Sequence, residues 1–423
     1  MTSTNIVEIS RLDLQELSTP SSASITSVEH LSSYNWIEAP TPTIAIPGCP
    51  PLWTAPKAPR RVKKDSGLVY IAQNAARHPE SPLEPLFRAL YLVNPSYDIR
   101  SIDVVTDRNN IRKLLSFINP SSTQSRLETF TINIEVTKNT AIFCRHETAT
   151  YDVIGPHEFK GFGHEFEKAT TASQISGSTG HHRIISYRFG DLNFIVRYET
   201  DGYVRSDLNA KIPSSASKEQ GTESLSRMLG SLSLSSTDNP PVITPTGSKL
   251  TIRKEGRVVP LESTLEIKTR VSHKPLQFQE IVPQLWVSQT PKLVRAYHNK
   301  GTFQPAVVED VAAQIKKWEE SNRNDLRKLA ALISRIVSVV KDCGGRGVVR
   351  YDDKADKLVV RQVDGKAMLP EDLYSKWDDE EKAEETGAER TETSVENVEA
   401  KEGEKSTETK ADVRARRPTK SLD

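Results

Sequence analysis

The sequence predicts a mixed α/β fold, and three observations carry that prediction. Some runs alternate apolar and polar residues, as Phe130-Thr-Ile-Asn-Ile-Glu-Val136 does, which is the pattern of a half-buried strand. Others repeat apolar residues at three- and four-residue steps, as Leu326, Leu329, Leu332, Ile333, Ile336 and Val340 do, which is the pattern of an amphipathic helix. The two kinds interleave between residues 46 and 370 without an internal repeat, a length that builds one large core.

Residues 1–45 are expected to be disordered. The first 32 or so are rich in Ser and Thr, and proline holds the stretch from 33 to 62 extended. Trp36 and Trp53 suggest that this stretch lies pinned on the globular body. A helix is expected over 83–91, with Pro85 near its start, where a missing N–H costs little. A strand entering a helix follows over 102–115. Strands at 130–136 and 140–147 pair across Thr137-Lys138-Asn139. A glycine-rich turn leads into a helix over 161–168. Strands at 182–188 and 192–198 are joined by Phe189-Gly190-Asp191, a hairpin signal. Residues 206–247 read as a Ser-rich, disordered insertion. Strands resume at 250–253, 257–261 and 265–270. A helix or strand is expected over 281–287, a strand over 291–298, and helices over 307–317 and 322–341. Gly344-Gly345 ends the last helix. A hairpin over 348–351 and 357–363 closes the body. Residues 371–423 form an acidic, then basic, tail expected to be disordered.

Composition bounds the function. Over 423 residues the chain is 36% hydrophobic and 27% charged, lean for a wholly globular protein, which fits a core diluted by disordered segments. A net charge of +1 excludes bulk attraction to nucleic acid or membrane, so any such site is a local patch. Cys49, Cys144 and Cys343 lie far apart, which argues against a disulfide framework or structural zinc and fits a reducing compartment. The opening Met-Thr-Ser-Thr-Asn has no signal-peptide character. The longest apolar stretch, 329–340, is broken by Ser334, Arg335 and Ser338 and is too short to span a bilayer. A soluble intracellular protein without membrane contact is expected. The basic cluster Arg414-Ala-Arg-Arg-Pro-Thr-Lys420 favours the nucleus over the cytoplasm.

Chemistry centres on Leu265-Glu266-Ile267-Lys268-Thr269-Arg270. In a strand, residues i and i+2 share a face, so Glu266 and Lys268 project together. A surface ion pair is the plain reading of that pattern alone. The strand at 192–201 ends in Glu199-Thr200-Asp201, where two acids again share a face and repel each other. Either they sit at a solvated strand end or a divalent cation relieves the repulsion. Beside a Glu-x-Lys strand the second reading is the stronger. Together the strands suit metal-dependent phosphodiester hydrolysis, in which carboxylates hold Mg²⁺ or Mn²⁺ and a lysine orients water or neutralises charge on phosphorus.

This arrangement resembles the PD-(D/E)XK nuclease superfamily, and within it the DXO-type decapping exoribonucleases. Val104-Val-Thr-Asp-Arg108-Asn-Asn-Ile-Arg-Lys-Leu-Leu115 resembles the family's arginine segment. Gly163-His-Glu-Phe166-Glu167 resembles its Gly-x-x-Phe-Glu segment, Glu199-Thr200-Asp201 its Glu-hydrophobic-Asp, and Glu266-Ile267-Lys268 its Glu-hydrophobic-Lys. Trp286-Val-Ser-Gln289 resembles its Trp-x-Gln. The five follow the family's order. Thr200 replaces a hydrophobic residue, Asn109 stands at a usual glycine, one extra residue separates Trp286 from Gln289, and the 206–247 insertion parts two motifs.

The resemblance implies a mixed-sheet PD-(D/E)XK nuclease core flanked by helices, with Mg²⁺ or Mn²⁺ as cofactor. It implies Glu167, Asp201 and Glu266 as metal ligands, and Glu199 as a second-metal ligand or water-positioning base. Lys268 and Gln289 would orient nucleophile and phosphate, and Arg108 would contact substrate phosphate. The implied partners are an RNA 5′ end, attacked by decapping or 5′–3′ exonucleolytic hydrolysis, and a protein of RNA decay. His164, His181 and His182 are expected to be substrate-side or structural, because a hard cation prefers oxygen. Three rivals stand beside this reading: a DNA nuclease of the same superfamily, a non-catalytic nuclease-like scaffold, and a prenyl diphosphate synthase. The last rests on Asp352-Asp353-Lys-Ala-Asp356 alone, better read as a polar hairpin turn.

Overall fold

The computed structural model describes residues 6–120, 127–205 and 241–378. The chain divides into a unit spanning residues 1–376 and a second spanning 377–423, of which only Trp377 and Asp378 are described. Among the described residues most strands join two sheets, one of twelve strands and one of eight. The mixed α/β expectation holds, and no helix among the described residues is long and apolar enough to cross a membrane.

The large sheet is mixed. At its centre the strand Val104–Asp107 runs parallel to both neighbours, Thr140–His146 and Leu192–Glu199. Leu192–Glu199 pairs in turn with Ser178–Phe189 across the expected hairpin. Helices Arg108–Ile118, Phe278–Ser288 and Arg323–Asp342 contribute their apolar faces to the main core. Trp286 anchors it, edge-on to Phe189 at 5.4 Å and tilted against Trp318 at 5.6 Å. A fully buried side chain of this kind contributes roughly 1.5–3 kcal/mol. The smaller sheet has its own core, where Phe166 packs on Phe303 at 4.2 Å.

The chain crosses between sheets at one place that matters. Leu192–Glu199 belongs to the large sheet, whereas Gly202–Tyr203 belongs to the small one and pairs with Thr264–Val271. Thr200 and Asp201 are the step between them.

Several expectations need correction. The N-terminal 1–45 segment is not disordered over its described length. Ile6–Ser10 pairs with Lys357–Gln362, and Ile25–Ile37 pairs with Ser178–Phe189 and Thr43–Gly48. Trp36 is fully buried within the second of these strands. Residues 257–261 form no strand, since Pro260 leads instead into a 3₁₀ turn, Leu261–Ser263. The helix expected from 307 begins only at Ala312, because β-branched Val308 pairs opposite Val294. The ambiguous 281–287 run is helical, capped by Gln277 and Glu280. Of the 206–247 insertion, 206–240 lies outside the described residues, while Val242–Ile243 adds a short strand beside Thr251–Gly256. Of the tail, 379–423 lies outside the described residues, including the basic cluster; Glu371–Tyr374 is helical. Asp352 closes a hairpin turn by accepting the N–H groups of Lys354 at 3.0 Å and Ala355 at 3.3 Å, and Asp356 pairs with Arg11 at 2.7 Å. That turn and the two sheets overturn the prenyl-synthase rival, which needs facing helices.

Candidate active site

The strand Thr264–Val271 sits inside the small sheet, and its alternation sorts its side chains. Leu265 and Ile267 enter that sheet's core, leaving Glu266 and Lys268 on the opposite face. Glu266 is 2% exposed and fully engaged. One carboxylate oxygen accepts from Lys268 Nζ at 2.5 Å and from Gln284 Nε2, and the other accepts from Arg108 Nη1 at 3.1 Å. Burial alone would push its pKa up, but the Lys268 and Arg108 charges outweigh burial and hold it at about 2. Burial likewise opposes the Lys268 charge, yet Glu266 and Asp201 raise its pKa.

Among the described residues Asp201 and Glu167 have no hydrogen-bonded cation, only the more distant Lys268 charge. Asp201 accepts the Ile267 N–H at 2.7 Å, which ties the sheet crossing to the Glu266 strand. Burial, then repulsion from Glu266 and Glu167, pushes its carboxyl well above the usual range. Glu167 rises on the helix Gly163–Thr170. Burial, with repulsion from Glu199 and Glu266, pushes it up to about 8 despite Lys268. Glu167, Asp201 and Lys268 are half-buried and Glu266 is buried, so solvent still reaches this acidic cluster, the pit.

Glu199 lies at the exposed rim of the pit, at the end of its strand in the large sheet. It stands opposite His182 in the hairpin, and its approach requires Gly180. A Cβ there would strike Gln73 Oε1 and lie 3.0 Å from Glu199 Oε1. Arg108 is the first residue of its helix, directly after the strand Val104–Asp107. Its guanidinium lies 5.6 Å from the Tyr198 ring. Asp107 binds Arg197 through both oxygens, at 2.7 and 3.0 Å, which fixes the strand-to-helix corner. A cavity of about 190 Å³ opens next to Arg108 and Glu199, lined also by Gln73, Arg112, Arg145 and Tyr198.

The structure therefore gathers Arg108, Glu167, Glu199, Asp201, Glu266 and Lys268, drawn from two helices, from both sheets and from the step between them. It does not bring in Gln289. That residue ends its helix in the left-handed conformation, φ 51°, and its amide donates back to the Trp286 carbonyl at 2.5 Å. Gln284, one helical turn earlier, makes the contact to Glu266. The available signal was a lone amide inside the apolar run Ile281-Val-Pro-Gln284-Leu-Trp-Val287, which must find a buried partner. Asp65 was also unforeseen. It accepts the Glu165 N–H at 2.9 Å and so caps the start of the helix that carries Glu167. The histidines divide. His181 bonds Asn35 at 2.8 Å and His182 bonds Gln73 at 3.1 Å, and burial pushes both well below the usual histidine range. His164 is exposed.

As the side chains stand, no three His, Cys, Asp or Glu among the described residues are set to grip a metal ion. Glu266 is satisfied by Arg108, Lys268 and Gln284 instead. The donor chemistry nonetheless fits a hard divalent cation, because Asp201 and Glu167 are crowded carboxylates whose mutual repulsion such an ion relieves.

A family model described as Domain of unknown function (DUF8563) matches residues 6–377. No curated protein matches the sequence. Solved structures do match the fold. Candida albicans Rai1 in complex with pU5-Mn²⁺ has a TM-score of 0.55 at 10% identity, over 88% of this chain and 99% of that one. Scheffersomyces stipitis Rai1 in complex with (3′-NADP)⁺ and calcium ion has a TM-score of 0.54 at 11% identity, over 89% and 98%. S. pombe Rai1 has a TM-score of 0.52 at 11% identity, over 85% and 100%. At these identities the likeness is one of fold.

Proposed function

The chain belongs to that family, DUF8563, and from this premise we propose that it is a metal-dependent hydrolase of RNA 5′ ends. One observation carries the reading: crowded carboxylates at Asp201 and Glu167 adjoin a Glu266–Lys268 pair, with an arginine leading away from them. The shared fold supports it, since the related yeast structures hold pU5 with Mn²⁺ or a dinucleotide with calcium.

Asp201, Glu167 and Glu266 are the residues that would hold Mg²⁺ or Mn²⁺, which supplies Lewis-acid polarisation and a water of lowered pKa. Glu199 would position the attacking water and accept its proton. Lys268 neutralises charge that develops on the phosphoryl oxygens. Gln284 fixes the rotamer of Glu266, so that its carboxylate keeps one direction as its cationic partners turn to substrate. Arg108 exchanges Glu266 for substrate phosphate.

The experiment compares 5′-triphosphate, 5′-monophosphate, 5′-capped and dinucleotide-capped RNA with single-stranded DNA, in Mn²⁺ and in chelator. Metal-dependent product from one of the RNA ends, with DNA slower, supports the reading. Faster hydrolysis of DNA moves the protein to the DNA-directed alternative. A second reading, a non-catalytic nuclease-like scaffold, draws on the engagement of Glu266 by Arg108, Lys268 and Gln284. Loss of all metal-dependent product from a folded wild type selects it.

A further inference from the structure

A second charged feature lies outside the pit. The strap Lys57-Ala-Pro-Arg60-Arg61-Val-Lys63-Lys64 carries five cations in eight residues and no acid, a local patch in a chain of net charge +1. Lys57, Arg60, Arg61 and Lys63 are exposed. None of the five has a carboxylate partner among the described residues, whereas neighbouring Lys160 and Lys168 pair with Asp152 and Glu165. The strap lies along the helix that carries Glu167. Arg60 donates to the Ala169 carbonyl near the end of that helix, and Asp65, just past the strap, caps its start. Arg60–Arg61 is the edge strand of the small sheet, opposite Thr302–Phe303. Charge on an edge strand deters pairing with another chain, but Lys57, Lys63 and Lys64 lie beyond the strand.

The chain then enters a ribbon of two strands, Gly67–Tyr70 and Tyr151–Ile154. Leu68 stands opposite Val153 and Tyr70 opposite Tyr151, so the four share one face. Leu68, Tyr151 and Val153 are 53%, 54% and 61% exposed. An apolar face left open in this way marks a contact surface. Tyr70 joins that face to the cavity beside Glu199, which it lines, and its ring lies 5.1 Å from the Arg77 guanidinium. Phe159, also exposed, follows Glu158, whose carbonyl accepts from Lys64 at 3.2 Å. Cations for phosphates and aromatic faces for bases, continuous with the pit, suit single-stranded nucleic acid. A protein partner would cover the apolar face but leaves the row of unpaired cations without a purpose.

We infer that the strap and the ribbon form a track for single-stranded RNA, which holds the chain 3′ of the hydrolysed bond. The strap contacts phosphates, and bases stack on Tyr151 and Tyr70. A duplex hides its base faces, so the track prefers single strands. The direction of the chain rests on the reading of the pit as an RNA-hydrolysing centre; the binding of single strands does not.

The test compares wild type with the double variant Arg61→Gln, Lys63→Gln, with Tyr151→Ala and with Tyr151→Phe. In the first arm, fluorescence anisotropy follows binding of a 3′-labelled, unstructured RNA of about 20 nucleotides in chelator, at several salt concentrations. Wild type binds it at least about 10-fold more tightly than a duplex of the same sequence. The double variant loses about 10-fold, and its salt slope falls by about 1.4, the share of two phosphates. Tyr151→Ala loses about 10-fold with the slope kept, and Tyr151→Phe restores the affinity. In the second arm, in Mn²⁺, wild type favours the long RNA over a dinucleotide with the same 5′ end by about 10-fold or more in kcat/KM. The double variant and Tyr151→Ala bring that ratio towards one through KM. Track-dependent binding without hydrolysis by wild type keeps the track and removes the hydrolytic reading. Hydrolysis with the same length dependence in every variant overturns the track and leaves the hydrolytic reading in place. Equal affinity for duplex and single strand overturns the track, and so does the absence of RNA binding by wild type, which leaves the ribbon face to a protein. Should Tyr151→Ala not fold, the double variant decides on both readouts.

Discussion

Two neighbouring regions meet at Arg108 and are built on opposite electrostatic plans. The acidic pit concentrates Glu167, Asp201 and Glu266 and gives strong cationic partners to only one of them, so that Glu266 is held at about 2 while Asp201 and Glu167 are driven up. The cavity beside it is lined by Arg108, Arg112, Arg145 and Arg197, and Arg112 has no carboxylate partner among the described residues. Each crowds ionisable groups of one kind in partly desolvated space, which opposes their charged forms. The crowding at Asp201 and Glu167 is what the proposed divalent cation would relieve.

The comparison breaks most visibly if the pit loses a charge. Asp201→Asn keeps an acceptor for the Ile267 N–H but removes the carboxylate. Metal-dependent hydrolysis is expected to fall at least about 10³-fold, roughly 4 kcal/mol of transition-state stabilisation, with the circular dichroism spectrum unchanged. Lys268→Met should lower kcat by about 10²-fold, because charge developing on phosphorus loses its neutralising partner. The paired glutamines sharpen the account at a smaller scale. Gln284→Ala should cost about 10-fold in kcat/KM, whereas Gln289→Ala should leave it within twofold of wild type, and steady-state kinetics on both variants would expose a reversed order.

Glu84 provides a control, a buried carboxylate on the opposite plan. It is paired with His78 at 2.7 Å and Arg88 at 3.0 Å, and although burial opposes it, these partners lower its pKa. Glu84→Gln should destabilise the fold by about 3 kcal/mol while leaving hydrolysis intact. The sign of its pH dependence follows from the lowered value. The Glu84 contribution is complete above the ordinary glutamate range near ~4.3 and fades as pH falls through the folded value. Urea midpoints of wild type and Glu84→Gln should therefore converge in acid.

The site was more legible than the scaffold around it, for a physical reason. Glu266 with Lys268, and Glu199 with Asp201, are written into two-residue strand periodicity, so local pattern suffices to set each pair side by side. That the two pairs meet depends on the sheet crossing at Thr200 and Asp201, which the alternation does not announce. The motif resemblance points to Gln289, whereas the helix turns Gln284 inward and leaves Gln289 as its cap. The N-terminal strands are masked in the sequence by the Ser- and Thr-rich stretches around them. Ser32, Ser33 and Asn35 are buried nonetheless, their polar groups satisfied by the carbonyls of Ala89, Pro47 and Cys49. Ile6–Ser10 finds its partner near the other end of the body, in Lys357–Gln362. Pairing over such separations overrides local propensity.

The claim that the pit is a cation-held hydrolytic centre is tested most directly by calorimetric titration of Mn²⁺ into wild type and Asp201→Asn under identical conditions. The account predicts saturable binding to wild type and its loss or marked weakening in the variant. No binding to folded wild type, or equal binding to both, would contradict it.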